Sequence, residues 1–411
     1  MRQVERHIIR SSNPIWKQID KLCFLSKNLY NYANYLIRQT FIFDKLYIGY
    51  NRLYHLVKDT LDYQALPRKV SQQILKVLDK NWKSFFAACK AYLRNPELFT
   101  GKPKLPKYKH KTKGRNLLIY TIQAISKTWL QKRKIKLSGT DIIVPTKASK
   151  IAQVRVVPQT GQYAIEVIYE GEEHHTVTNT KAIAAIDIGV NNLATLTSNQ
   201  KDFVPILVNG RPLKSINQFY NKRKAYLQSL LNHNQKTSKL IQRLTAKRNN
   251  RIDTYLHQVS RWIIDHLDKH GIGRLIIGKN PLWKQEVNTG RINNQNFVSI
   301  PHAKFIEMLT YKALIKGIKI ETKEESYTSV ASFLNLDLIP SYGDENAKQV
   351  KFSGYRETRG TYKIKGQNTR INSDVNGSYN ILRKVVPTAF RRGIKGVVVR
   401  PVRVTPIVAK I

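Results

Sequence analysis

Cysteine is almost missing from this chain: Cys23 and Cys89 are the only two in 411 residues. They fall in separate helix-like segments, 19–41 and 70–93, with no C-x-x-C spacing. That excludes a structural zinc site and a disulfide framework in favour of two buried thiols. The ten histidines are scattered, and the pair His174-His175 sits in an acidic turn that offers no third ligand at metal spacing. Long apolar runs are missing as well. No window approaches about 18 uncharged apolar residues, and the start Met1-Arg2-Gln3-Val4-Glu5-Arg6-His7 lacks the apolar stretch of a secretory signal. The expectation is a soluble intracellular protein. Acids are scarce: 27 Asp plus Glu face 71 Lys plus Arg, a formal charge of +44. Solubility needs far less, so the expected partner is polyanionic. The 41% hydrophobic content suffices for ordinary cores spread over about two or three domains.

Residues 1–10 read as a strand, and 15–93 carries apolar and aromatic residues at helical intervals (Leu22, Leu25, Leu29, Tyr32, Leu36, then Ile74, Leu75, Leu78, Trp82, Phe85, Phe86), which predicts a helical bundle. The stretch Thr100-Gly101-Lys102-Pro103-Lys104-Leu105-Pro106-Lys107-Tyr108-Lys109-His110-Lys111-Thr112-Lys113-Gly114-Arg115 follows. Proline and glycine forbid a helix there, so it reads as an extended basic loop with Tyr108 available to stack on a base. Alternating segments at 135–137, 141–144, 151–157 and 163–169 predict a small antiparallel barrel or sheet. From residue 180 onward, strands alternate with long helices. A basic helical hairpin spans 215–270, short buried strands fall at 274–278 and 318–324, and a helix lies between them at 300–316. Residues 330–370 show no strong period, a helix follows at 375–383, and 391–411 is a basic, valine-rich tail.

The chemistry concentrates in two stretches. Ala184-Ala185-Ile186-Asp187-Ile188-Gly189-Val190-Asn191-Asn192-Leu193-Ala194-Thr195-Leu196 is a buried strand interrupted by one carboxylate. Burying that charge is costly unless a partner, commonly a divalent cation, compensates it. Ile371-Asn372-Ser373-Asp374-Val375-Asn376-Gly377-Ser378-Tyr379-Asn380-Ile381-Leu382 brings a second acid to a helix entrance. Phosphodiester hydrolysis commonly uses two cations about 4 Å apart, which three acids from separate elements can hold. Right-handed βαβ order lays the strands at 274–278 and 318–324 beside the Asp187 strand. The first ends in Gly278-Lys279-Asn280 without an acid, and the second in Glu324-Glu325. The third ligand is therefore expected from that pair, with Glu325 preferred and Glu324 the alternative. Other readings stay open at this stage. Asp187 is also the type of residue that caps a turn beside Gly189, Asp374 the type that N-caps a helix, and Glu324-Glu325 could be a solvated acidic turn.

These segments, with Glu325-Ser326-Tyr327-Thr328-Ser329 and Ile277-Gly278-Lys279-Asn280-Pro281-Leu282-Trp283-Lys284-Gln285-Glu286, resemble the TnpB (OrfB) proteins of bacterial insertion sequences, which are similar to type V CRISPR effectors. The resemblance implies an α/β and α+β multidomain fold: an RNase H-like (RuvC) nuclease domain plus an N-terminal wedge-type β-barrel with an inserted helical recognition bundle. The implied domains are 1–10 and 115–179 (wedge), 11–114 (bundle and basic loop), 180–329 and 371–390 (nuclease), 330–370 (a degenerate zinc-ribbon-like insertion without cysteines) and 391–411 (basic tail). It implies RNA-guided, Mg²⁺-dependent cleavage of double-stranded DNA next to a short adjacent motif, by an element-encoded protein that is cytoplasmic in a bacterium and joins the nucleoid when bound to DNA. Asp187, Glu325 and Asp374 would be catalytic and hold a two-metal Mg²⁺ site. A guide RNA from the element end and a DNA target would be the partners, with no zinc and no membrane. Lys102, Lys104, Lys107, Tyr108, Lys109, Lys111, Lys113, Arg115, Arg243, Lys247 and Arg251 would contact nucleic acid. Most relatives carry a glutamate where this chain has Gly278, with a branch in which a glutamate on the following strand substitutes. That departure motivates an alternative, a nuclease-deficient RNA-guided DNA-binding protein.

Overall fold

A computed structural model of the protein describes residues 2–171, 181–232, 234–280, 290–391 and 393–406. The His174-His175 turn, the segment containing Trp283, Lys284 and Gln285, and the last residues of the tail lie outside the described residues. The chain divides into two compact units, 1–172 with 238–246, and 173–237 with 247–411.

In the first unit, the strands Arg2–Arg10 (β1), Leu118–Thr121 (β2), Ile151–Gln159 (β3) and Gln162–Glu170 (β4) form an antiparallel sheet in the order β1-β4-β3-β2. A separate ribbon pairs Lys134–Lys136 with Ile143–Pro145. The barrel expected from the sequence is thus a four-stranded sheet, and its outer strands are not bonded to one another among the described residues. The helices Trp16–Phe43 (α1), Tyr50–Val57 (α2) and Arg68–Arg94 (α3) make the bundle. Trp82 is fully buried at its centre and donates from Nε1 to Asn34 Oδ1 at 3.0 Å. Cys23 is buried in α1, where burial pushes its thiol far above the usual range and leaves it inert.

The second unit is built on a six-stranded mixed sheet. Its strands are Ile183–Asp187 (β5), Asn192–Ser198 (β6), Ile206–Asn209 (β7), Arg274–Gly278 (β8), Lys319–Lys323 (β9) and, at the far edge, Val402–Val404 from the tail; the order is β9-β8-β5-β6-β7 and then the tail strand. β5, β6 and β7 run antiparallel in turn, whereas β8 lies parallel to both β5 and β9. Both faces are covered, as a sheet with parallel strands requires. Ala184, Ile186, Leu275 and Ile277 point into one core with the helices Lys239–Lys269 (α5) and His302–Ile315 (α6), whereas Ile183, Ala185 and Ile276 point into another with the helix Ser373–Val385 (α7). The helix Arg211–Ser229 (α4) precedes α5 and completes the basic hairpin. By the two-residue alternation of a strand, Asp187 and Gly278 project toward α7.

Residues 330–370, which have no sequence period, are folded. Gly354–Thr358 (β10), Thr361–Ile364 (β11) and Arg370–Asn372 (β12) form an antiparallel sheet. Phe333 anchors the segment on α7, stacked on Tyr379 at 4.2 Å between ring centroids. No helix of the described residues is long and apolar enough to cross a membrane.

Candidate functional site

Asp187 ends β5 and Asp374 lies in the first turn of α7. The helix cap is not Asp374 but Asn372, whose Oδ1 accepts from the backbone N–H of Asp374 at 3.1 Å and of Val375 at 3.2 Å. Asp374 is thereby released from capping, and its carboxylate accepts instead from Asn192 Nδ2 at 2.7 Å. α7 approaches the sheet through its small residues. Gly377 leaves room for Asp187: a Cβ there would stand 2.8 Å from Asp187 Oδ2. The next residue, Ser378, is fully buried, its hydroxyl within bonding distance of the carbonyls of Ala185 (3.1 Å) and Thr195 (2.9 Å). The Asn376 and Asn380 amides donate to the Ala331 carbonyl at 2.8 and 2.7 Å, strapping the insertion to α7.

The third acid comes from the turn after β9, and its two adjacent glutamates have separate fates. Glu324 pairs with Lys384 of α7 at 2.6 Å and accepts from the backbone N–H of Ser326. Burial opposes its ionisation, but those contacts outweigh it and hold the carboxyl below its ordinary value. Glu325 turns the other way, over Gly278, where a Cβ would lie 2.3 Å from Glu325 Oε2. The Glu325 side chain therefore fills the volume that a side chain at position 278 would occupy. Asn280, just past β8, fixes it from behind by accepting from the Glu325 backbone N–H at 3.0 Å.

The electrostatics are those of an anionic cluster short of positive charge. Protein packed around Asp187 pushes its carboxyl well above the ordinary range, and the charges of Glu325 and Asp374 push it further, with Arg356 opposing. Burial raises Glu325 to about 7, Glu324 adding and Lys384 opposing. Glu325 Oε2 is buried without a hydrogen-bond partner among the described residues. Arg356 of β10 brings a guanidinium to 3.6 Å from Asp374 Oδ1. Carboxylate oxygens with an unpartnered buried atom and raised pKa values fit a hard divalent cation in kind, and Asp187, Glu325 and Asp374 are the residues that would hold it. Among the described residues no three His, Cys, Asp or Glu side chains already stand as a metal-holding group.

The basic loop lies extended along α1. The Pro106 carbonyl accepts from Asn34 (3.1 Å) and Arg38 (3.0 Å), Asn31 exchanges two bonds of 2.8 Å with the Lys109 backbone, and Lys27 donates to the Lys111 carbonyl at 2.7 Å. Anchoring the backbone leaves Lys102, Lys104, Lys107, Tyr108, Lys109, Lys111 and Lys113 exposed. Arg115 differs: both of its bonds to Asp20 are 2.8 Å, so its part is to hold the loop end rather than to face a ligand. Arg243, Lys247 and Arg251 recur every fourth residue along α5 and are exposed, whereas Arg248 turns inward to Asn217 at 2.8 Å. Sequence reasoning missed Arg356, Asn192 and Asn280. The asparagines sit inside motifs already singled out, but Arg356 stands in the segment without a period and carries no signal.

Fold and site define a multidomain, mixed α/β protein whose central sheet has an acid-lined edge. The model of the family described as "Probable transposase" (OrfB_IS605) matches residues 166–283, and that of the Cas12f1-like TNB domain matches 302–381. The TnpB-like protein ORF457 of Acidianus two-tailed virus is 24% identical over 420 residues, covering 90% of this chain and 84% of its own. The chain is thus similar to TnpB proteins along most of its length. Among solved structures, the Cas12f1–sgRNA–target DNA complex is similar at a TM-score of 0.37 and 15% identity, covering 92% of this chain and 98% of that one. C2c1 of Alicyclobacillus acidoterrestris with single-guide RNA is similar at 0.39 and 8%, covering 90% and 66%.

Proposed function

We propose that the protein is an RNA-guided, Mg²⁺-dependent DNA endonuclease of a transposable element, cleaving double-stranded DNA beside a short adjacent motif. What carries this reading is the proximity of Glu325 and Asp374 to Asp187, near enough for their charges to act on it, with Gly278 making room for the displaced glutamate. The sheet order supports a ribonuclease H-like nuclease domain: three antiparallel strands, with two parallel strands added beyond the first. Kinship with TnpB supports a guide RNA from the element end. The formal charge of +44 and the rail of exposed lysines on the loop suit RNA and DNA backbones. On this reading 1–10 with 115–179 is a wedge-type domain, 11–114 the recognition bundle, 180–329 with 371–390 the nuclease and 330–370 its zinc-free insertion.

Bound divalent cations would neutralise the phosphate and acidify a water. This chain's part is to hold and orient. Asp187, Glu325 and Asp374 supply the anionic ligands, Asn280 fixes the backbone behind Glu325, and Arg356 stands where a phosphate brought to the acids would meet a guanidinium. Sequence recognition is delegated to base pairing with the guide. A second reading, a guided DNA binder that does not cut, is favoured by Gly278 and by the absence of a preformed metal-holding group among the described residues.

The experiment is to purify the protein with its own RNA, sequence that RNA, and program a plasmid-cleavage assay with and without Mg²⁺. Cutting that needs Mg²⁺ and disappears in Asp187→Ala, while target binding persists, is the expected result. Guided binding without cleavage establishes the second reading, and failure to retain RNA overturns both.

A further inference from the structure

Among the polar groups around the acids, Asn192 stands out. It opens β6 and is 8% exposed. Its Nδ2 donates to Asp374 Oδ2 at 2.7 Å, while its Oδ1 is buried with no hydrogen-bond partner among the described residues. The amide cannot simply be turned over, because exchange of its two ends would set a carbonyl oxygen against a carboxylate oxygen. A buried carbonyl oxygen left unpaired is costly and rare. It lies within roughly 5 Å of Asp374 Oδ2, given the 2.7 Å bond and the width of an amide. The backbone holding this side chain is constrained on both sides. A Cβ at Gly189 would lie 2.7 Å from the Asn192 carbonyl oxygen, and one at Gly210 would lie 2.2 Å from that of Val190. Gly210 N–H also donates to the Asn191 carbonyl at 2.8 Å. The neighbouring amide has a different task, Asn191 Oδ1 accepting from Lys214 at 2.8 Å.

We propose that Asn192 is a positioning residue of the acid cluster: its Nδ2 fixes the rotamer of Asp374, and its Oδ1 is held in reserve for the water shell of the divalent cation. The inference rests on the reading of the site as a metal-dependent nuclease. Asn192 joins a strand turn to the first turn of α7, two elements that sequence proximity does not connect, and so sets the separation of Asp374 from Asp187. An outer group that orients a metal ligand commonly governs metal affinity by about 10- to 100-fold.

The test compares the RNA-loaded protein with Asp187→Ala, Asn192→Ala and the isosteric Asn192→Asp, each titrated with Mg²⁺ and read by the rise in melting temperature and by the rate of plasmid cutting. Asp187→Ala should abolish the part of the Mg²⁺-induced rise that belongs to the acids and provides the baseline. Asn192→Ala should require about 10- to 100-fold more Mg²⁺ in both readouts, with RNA retention and target binding unchanged and with cutting largely restored at saturating Mg²⁺, and Asn192→Asp, which sets a carboxylate against Asp374 in place of the donor, should shift the requirement as well. A Mg²⁺ requirement unchanged in Asn192→Ala and Asn192→Asp, with Asp187→Ala responding as stated, overturns the role of Asn192 alone. If Asp187→Ala keeps the full Mg²⁺ response, the nuclease reading fails and the role of Asn192 fails with it. Asn192→Asp serves where Asn192→Ala does not fold.

Discussion

At the scale of single residues, the site turns on one exchange, an absent side chain at position 278 against a carboxylate that arrives from 325. Gly278 is buried, and its missing Cβ would meet Glu325 Oε2 at 2.3 Å and Ile381 Cδ1 at 2.5 Å. Gly278→Glu should therefore overpack the site, destabilise the fold by about 1–3 kcal/mol and abolish cutting. Combining it with Glu325→Ala should recover Mg²⁺-dependent cleavage, since the acid then returns to the neighbouring strand. Plasmid assays of both variants decide this, and a double variant no better than the single one would count against the exchange. Asp187 was legible because one charge in an otherwise apolar strand is anomalous, and Asp374 because of its motif. The choice between Glu324 and Glu325 was not, because what separates them lies across space: Lys384 beside one, the hollow at Gly278 beside the other. Asn372 rather than Asp374 caps α7, a distinction beyond propensity, since the two residue types serve almost equally at that position.

At the scale of elements, periodic segments were the legible ones. The bundle and the basic hairpin follow from helical spacing, and strands β5 and β8 from short, nearly unbroken apolar runs. The insertion and the tail were not legible, because non-local partners order them. Val402–Val404 exists as a strand only by pairing with β7. The insertion is organised around one carboxylate. Asp337 Oδ2 accepts from the backbone N–H groups of Ser332 at 2.8 Å and Ser353 at 2.9 Å, and its Oδ1 accepts from the Ser353 hydroxyl. The Asp337 carbonyl in turn accepts from Arg383 of α7 at 2.9 Å. Ser353 immediately precedes β10, so this knot also places Arg356. Asp337→Ala should cost about 2–3 kcal/mol, from hydrogen bonds to a charged group lost with their donors left buried. Hydrogen exchange should show β10 and β11 opening, whereas EDTA should leave their protection unchanged. Unaltered protection in Asp337→Ala would sink this view of the insertion.

At the scale of the whole molecule, an excess of 44 positive charges is a standing self-repulsion that a bound polyanion relieves. Against that background the acid cluster works in reverse, as a small group of buried carboxyls that keep their protons for want of nearby positive charge. Its linkage to folding has a definite sign. Burial first, and Glu324 after it, raise Glu325 from 4.5 to about 7, so between those values the native state holds a proton that the unfolded chain has released. Metal-free stability should then fall as pH rises through that interval, by about 3 kcal/mol from this group, with Asp187 acting in the same direction. Denaturant titrations in EDTA at pH 5 and pH 7.5 should show the loss, Mg²⁺ should stabilise more at the higher pH, and Glu325→Gln should flatten the profile. A slope as steep in Glu325→Gln as in the unsubstituted protein would assign the effect elsewhere.

β8 and β9 run side by side in the same direction, so their ends open on a common edge and a side chain leaving either can reach one point in space. What is conserved by such a layout is a location rather than a letter in the chain. A motif scan that expects an acid after Ile277 would file this chain among the worn-out copies of its kind, whereas a search that asks which carboxylates share a neighbourhood would keep it among the working candidates.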